Sequence, residues 1–270
     1  MTASTAVPPT PAGLSRAIGR FPYRLQMAGG WIDQPFVSER NPEPPGSMVV
    51  VSMQPTVKYM ERSGMATGTR VVAQRLWGDE VPSDRSPDEL VRELYAVENE
   101  GRQDPSGSQD MCGLVYRGVS RLDYDASVEG GWFPSHVEST SDPKVVTWLE
   151  QVLHLVPVGG RPDGYNPLGE KHLDPAWIAR LSASGRACYE AIVAMDVKAL
   201  GESLNECARA WDAILPQVYV HPAIKADLHG LLTGYAASYA GAMYSGCGGG
   251  YIIVASDDPP AGSARISVRA

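Results

Sequence analysis

The sequence predicts an α+β fold. Three observations carry that prediction: strand-like apolar runs interleave with helical periodicity in the first half, the second half is mostly helical, and two further β-runs close the chain. Residues 1–20 read as a flexible N-terminal tail, 21–158 as an α/β part, and 159–270 as a helix-rich part with terminal strands. There is no internal repeat.

Met1 to Ala12 is rich in Thr, Ser and Pro and lacks a basic stretch followed by an apolar one. It therefore predicts a loose tail and not a signal peptide. Arg20 to Pro35 predicts a short strand ending in a turn at Gly29-Gly30. Two readings of that turn stand side by side: a tight turn with Trp31 on the core, or a ligand-facing loop in which Arg24 and Asp33 hold a polar substrate. Asn41 to Gly46 is a Pro-rich loop, and Met48 to Met53 is a β-run bounded by turn residues. Glu61 to Arg70 sets two glycines among hydroxyl residues, directly ahead of the helical Val71 to Leu76. Ser86, Pro87 and Glu89 mark the next helix start, whose Leu90, Val91, Leu94 and Tyr95 face the core and which ends near Glu98 to Glu100. A polar loop, Gly101 to Asp110, leads into a helical Met111 to Tyr116 and a strand over Gly118 to Tyr124.

Trp148 to Pro157 ends in another strand, and the glycine- and proline-rich Gly159 to Pro167 divides the halves. Helices begin at Asp174-Pro175, at Asp196, and after His221-Pro222. The second of these carries Val197, Leu200, Leu204, Ala208 and Trp211 on one face, as core packing requires. The loop Ser245 to Gly250 precedes β-runs at Tyr251 to Ala255 and Ala264 to Val268.

Composition excludes several function classes. A chain of 270 residues with 43% hydrophobic residues builds a sizeable core, as one large domain or two small ones. A net charge of −8 argues against broad binding to nucleic acid or to an anionic membrane. No run approaches the roughly 18 apolar residues of a membrane span. Four cysteines without a CxxC pair and five histidines without HExxH point to reduced thiols in a cytoplasm, not to a disulfide frame or a zinc site. Oligomeric state is not legible.

Chemistry concentrates in a few stretches. Glycines between Ser63 and Thr69 let backbone approach a ligand, and the first amides of the following helix favour an anion. Thr67 and Thr69 add hydroxyls for a phosphate or Mg²⁺. This is not a Walker A loop, because no Gly-Lys-Ser/Thr follows, and an ordinary turn explains such a helix start equally well. Asp110 opens a helix whose positive end favours an ionised carboxylate, as a general base requires, although helix-start aspartates are common. Glu98 supplies a hard oxygen for Mg²⁺, and Glu100 serves equally on composition.

Taken in order, these stretches resemble the superfamily of galactokinase, homoserine kinase, mevalonate kinase and phosphomevalonate kinase, the GHMP kinases. Gly29-Gly-Trp-Ile-Asp33, preceded by Arg24, is similar to the first motif in its fucokinase-like and heptose-phosphate-kinase-like form. Ser63-Gly-Met-Ala-Thr-Gly-Thr69 resembles the phosphate loop, Gly107-Ser-Gln-Asp110 the segment with the catalytic aspartate, and Ser245-Gly-Cys-Gly-Gly-Gly250 the third motif. The resemblance implies a two-part fold and ATP- and Mg²⁺-dependent phosphoryl transfer to a hydroxyl of a sugar-like small molecule. It implies Asp110 and Arg24 as the catalytic pair and Gly30, Asp33 and Gly246 at the substrate. Ser63, Gly64, Met65, Ala66, Thr67, Gly68 and Thr69 would lie at the nucleotide, and Glu98 and Thr67 at the metal. Two departures stand out: Gly68 occupies the usual place of a serine, and the segment between the first two motifs is short. They leave open a catalytically silent sugar- or nucleotide-binding relative acting as sensor or partner. A plain α+β interaction protein is the third reading.

Overall fold

The run Gly46-Ser-Met-Val-Val-Val-Ser-Met53 is buried along its whole length, so it needs a partner on each edge and cover on each face. The computed structural model, which describes residues 19–61, 63–160, 169–216, 227–246 and 250–270, provides both. Strand β2 (Gly46–Met53) pairs antiparallel with β1 (Tyr23–Gln26) and with β3 (Val119–Tyr124), and β4 (His136–Thr140) completes a four-stranded sheet in the order β1-β2-β3-β4. Helix α1 (Pro35–Ser38) is a single turn after β1.

Three helices gather beside this sheet. They are α2 (Thr67–Trp77), α3 (Pro87–Asn99) and α4 (Gln109–Val115), of which α4 lies on β1 and β2. The capping box expected at α3 is present: Ser86 accepts from the Glu89 amide while Glu89 accepts from the Ser86 amide. Helix α5 (Pro143–Val152) leads straight into β5 (Leu153–Gly159). That strand is central in a second antiparallel sheet with β6 (Gly241–Tyr244), β7 (Gly250–Ala255) and β8 (Ala264–Arg265), ordered β6-β7-β5-β8. The division expected after residue 158 thus falls at the end of a strand of the second sheet.

Long helices α6 (Pro175–Ala194) and α7 (Val197–Ile214) pack on each other, and α6 also covers β2. Both start where the sequence places them, with Asp174 and Asp196 accepting from first-turn amides. Leu200, Leu204, Ala208 and Trp211 of the stripe are buried, and Val197, in the first turn, is half-buried. Helix α8 (Leu228–Ser238) follows, capped by Asp227; the start signal at His221-Pro222 lies outside the described residues, as do residues 1–18 and most of the loop from Gly159 to Pro167. The last expected strand shortens to two residues, with Val268 bridging back to Met53 in the first sheet. One buried cluster runs through both sheets, from Leu25 and Val50 to Leu155, Leu204 and Ile253.

Candidate active site

Arg24 sits mid-strand in β1, on the face that α4 covers, and only 4% of it is exposed. A guanidinium at such a place needs a partner. It finds Asp110, in the first turn of α4, and forms an ion pair with its carboxylate while donating to the Gly64 carbonyl at 3.1 Å. The other Asp110 oxygen accepts from Thr69 Oγ1 at 3.2 Å. Yet 29% of the Asp110 side chain remains exposed, so the carboxylate is both held and reachable. The fold thus joins residues from three separate stretches: strand, glycine loop and loop-to-helix turn.

The glycine loop is built on backbone packing. A Cβ on Gly64 would stand 1.4 Å from the Ser245 carbonyl oxygen, and Gly64 has φ of 76°, so only glycine lets these loops meet. Ser245 Oγ donates to the Ser63 carbonyl at 2.7 Å and fixes that contact. Ser63, Met65 and Ala66 are buried, and Ser63 donates its hydroxyl to the Met60 carbonyl, so these three shape the loop from within. Gly246 lies against Gly64, not against Asp33. Cys247 to Gly249 are outside the described residues.

Helix α2 begins at Thr67, inside the predicted loop, because Ala66 adopts a left-handed conformation with φ of 54° and turns the chain there. No side chain caps this end, which leaves its first amides to a ligand or to water. Thr67 and Gly68 are accessible, and together with Tyr23, Lys58, Tyr59, Glu61, Arg70 and Val71 they line a cavity of about 350 Å³. The Thr69 hydroxyl is committed to Asp110, which leaves Thr67 as the threonine of the loop that lines the cavity.

Asp33 departs from its expected place at a substrate. It is completely buried, and Gln109 occupies both its oxygens: Nε2 donates to Oδ1 at 2.9 Å and the backbone amide to Oδ2 at 3.5 Å. Burial pushes its carboxyl up to about 6, against the opposing pull of the Gln109 amide and the Arg24 charge. Gly30 is closed off as well: a Cβ there would meet the Gln26 carboxamide at 1.9 Å, and its carbonyl accepts from Trp211 Nε1 at 3.0 Å. Every residue from Phe21 to Asp33 is buried, so the first motif is a packed turn. Trp31 packs edge-on against Phe36, as the tight-turn reading has it.

For a metal, Glu98 and Glu100 now separate. Glu100 is exposed past the end of α3, whereas the Glu98 side chain is 7% exposed. Glu98 Oε1 pairs with Arg102 at 3.6 Å and accepts from Ser106 Oγ at 3.3 Å, while its buried Oε2 has no hydrogen-bond partner. An orphaned, buried carboxylate oxygen suits a hard divalent cation. The described residues contain no cluster of three or more His, Cys, Asp or Glu side chains able to enclose a metal. Sequence reading missed Gln109, although it stands inside the Gly107-to-Asp110 motif, and missed the cavity wall of Lys58, Tyr59 and Glu61, for which no pattern gives a signal.

No protein-family model and no curated protein matches this sequence. Solved structures do. A D-glycero-D-manno-heptose 1-phosphate kinase from Bacteriodes thetaiotaomicron is 14% identical, with 87% of each chain covered and a TM-score of 0.51. Streptococcus pneumoniae phosphomevalonate kinase is 11% identical, covering 88% of this chain and 90% of its own, with a TM-score of 0.57. Methanococcus jannaschii mevalonate kinase is 9% identical, covering 88% and 89%, with a TM-score of 0.55. The fold is that of the GHMP kinases, over nearly the whole described chain.

Proposed function

We propose that this chain is an ATP- and Mg²⁺-dependent kinase that transfers a γ-phosphoryl group to a hydroxyl of a sugar or sugar derivative. The observation that carries this reading is the meeting of Arg24, Asp110 and Thr69 beside the uncapped start of α2. Asp110 orients the acceptor hydroxyl and takes its proton as the new oxygen–phosphorus bond forms and the bond to the β-phosphate oxygen breaks, releasing ADP. Arg24 holds that carboxylate in place, and its contact with Gly64 ties the aspartate to the phosphate loop. Backbone amides of Thr67 to Thr69 and the α2 dipole favour the phosphates. Glu98 and the Thr67 hydroxyl would hold Mg²⁺, which when bound neutralises charge on the transferring group. Catalysis of this kind is positioning and electrostatics.

ATP consumption with Mg²⁺, measured over free sugars, sugar phosphates, cyclitols and amino alcohols, tests this reading. An acceptor-dependent signal supports it, and silence over the whole panel overturns it. A second reading is a silent nucleotide-binding relative. It draws on Gly68, which brings no hydroxyl, and on Thr69, whose hydroxyl is already engaged. A rise in Tm with Mg·ATP but no turnover would favour it; at about 100 times Kd the linkage is about 2.7 kcal/mol.

A further inference from the structure

We propose that Asp33 is a positioning residue, which sets the reactive aspartate by clamping Gln109 instead of touching the acceptor. The kinetic part of this inference rests on the kinase reading; its structural part does not. Gln109 opens α4, and Asp110 is the next residue. Ser108, at the N-cap, makes no capping bond to the helix; its hydroxyl faces Tyr124 Oη on β3 at 3.0 Å. The carboxylate that accepts the first amide of α4 therefore comes from Asp33, 76 residues earlier in the chain.

The fit between the two segments is close. A Cβ on Gly107 would lie 1.9 Å from Asp33 Oδ2 and 2.8 Å from the Asp33 carbonyl oxygen, so the loop closes on Asp33 only because residue 107 is glycine. Asp33 is buried to the last atom, and its polar contacts are spent inside the protein. The same continuous segment carries Arg24, which grips Asp110 directly. Asp110 is thereby fixed at its side chain by Arg24 and at its backbone, through Gln109, by Asp33. A small shift of a reacting group away from its productive position costs on the order of 100-fold in rate, so the clamp bears on kcat.

The test compares wild type, Asp33→Asn, Gln109→Ala and the double variant. Asn is isosteric and removes a buried charge, so Asp33→Asn folds; Gln109→Ala removes the Nε2 to Oδ1 bond from the less buried side and keeps the backbone amide. Hydrogen exchange read over residues 108–112 should quicken in both single variants, and equal protection in wild type and variants overturns the clamp whether or not the protein turns over. In steady-state kinetics, kcat should fall by about 10- to 100-fold with acceptor KM within about twofold. The double variant should be no worse than Asp33→Asn alone, because the bond lost in Gln109→Ala is one that Asp33 already makes. A rise in acceptor KM at unchanged kcat would instead put Asp33 at the substrate. Wild type that never turns over removes the kinase reading and leaves the exchange result to decide the clamp.

Discussion

Asp33 is a buried acid, and its titration should be visible in the stability of the whole chain. Its folded pKa of about 6 lies above the ordinary 3.8, so the native state holds its proton more tightly than the unfolded chain does. The stability it lends is complete below about pH 3.8, is lost as pH rises through about 6, and stays lost above. Roughly two pKa units correspond to about 3 kcal/mol. Asp33→Asn should therefore gain on wild type by about 3 kcal/mol between about pH 4 and pH 7, read from urea midpoints. A constant difference across that range would contradict the burial of the charge. Gly68 gives a second prediction at this scale. A Cβ there meets nothing within 4 Å, and the residue sits exposed in the first turn of α2. Gly68→Ser should raise stability by about half a kcal/mol and enlarge the Mg·ATP thermal shift by adding a hydroxyl beside Thr67. An unchanged nucleotide shift would place the metal elsewhere. Residue types in sequence announced Arg24, Asp110 and the glycines, but not that Asp33 faces inward, because burial depends on contacts that neither spacing nor composition encodes.

Elements were legible where their ends carry their own chemistry. Ser86, Asp174 and Asp196 each pair with the amides of the helix they open, a local rule that sequence states outright. Strand β2 was legible for the same local reason, as a β-branched run. Strand β4 was missed because His136-Val-Glu-Ser-Thr140 is half exposed and lacks apolar alternation, and β6 because four residues are too few for a period to show. The start of α2 moved into the glycine motif because Ala66 takes a backbone conformation unusual for a residue with a Cβ. The contact between the glycine loop and Ser245 yields a prediction for these elements together. Gly64→Ala would force a methyl group into the Ser245 carbonyl and strain a positive φ, so stability should fall by about 2–4 kcal/mol, visible as a lower urea midpoint. Unchanged stability would mean that the two loops do not meet as described.

At the scale of the whole molecule, the chain order of the motifs pointed to the fold, while the strand orders β1-β2-β3-β4 and β6-β7-β5-β8 were not readable. Strand order is decided by long-range pairing: β2 meets β3 across about 70 residues, as Val50 opposite Ser120, and β5 meets β7 across about 100, as Leu155 opposite Ile253. Contacts of the same long range bring Arg24, the Gly64 loop, Thr69 and Asp110 together from different parts of the chain. No helix among the described residues is long and apolar enough to cross a membrane. The most direct test of the account is acceptor-dependent ATP consumption in wild type and Asp110→Asn side by side, with Mg·ATP binding followed on both. Wild type should turn over, the variant should lose about 1,000-fold or more for want of the proton acceptor and its alignment, and both should keep the thermal shift. Equal turnover in the two proteins would contradict it.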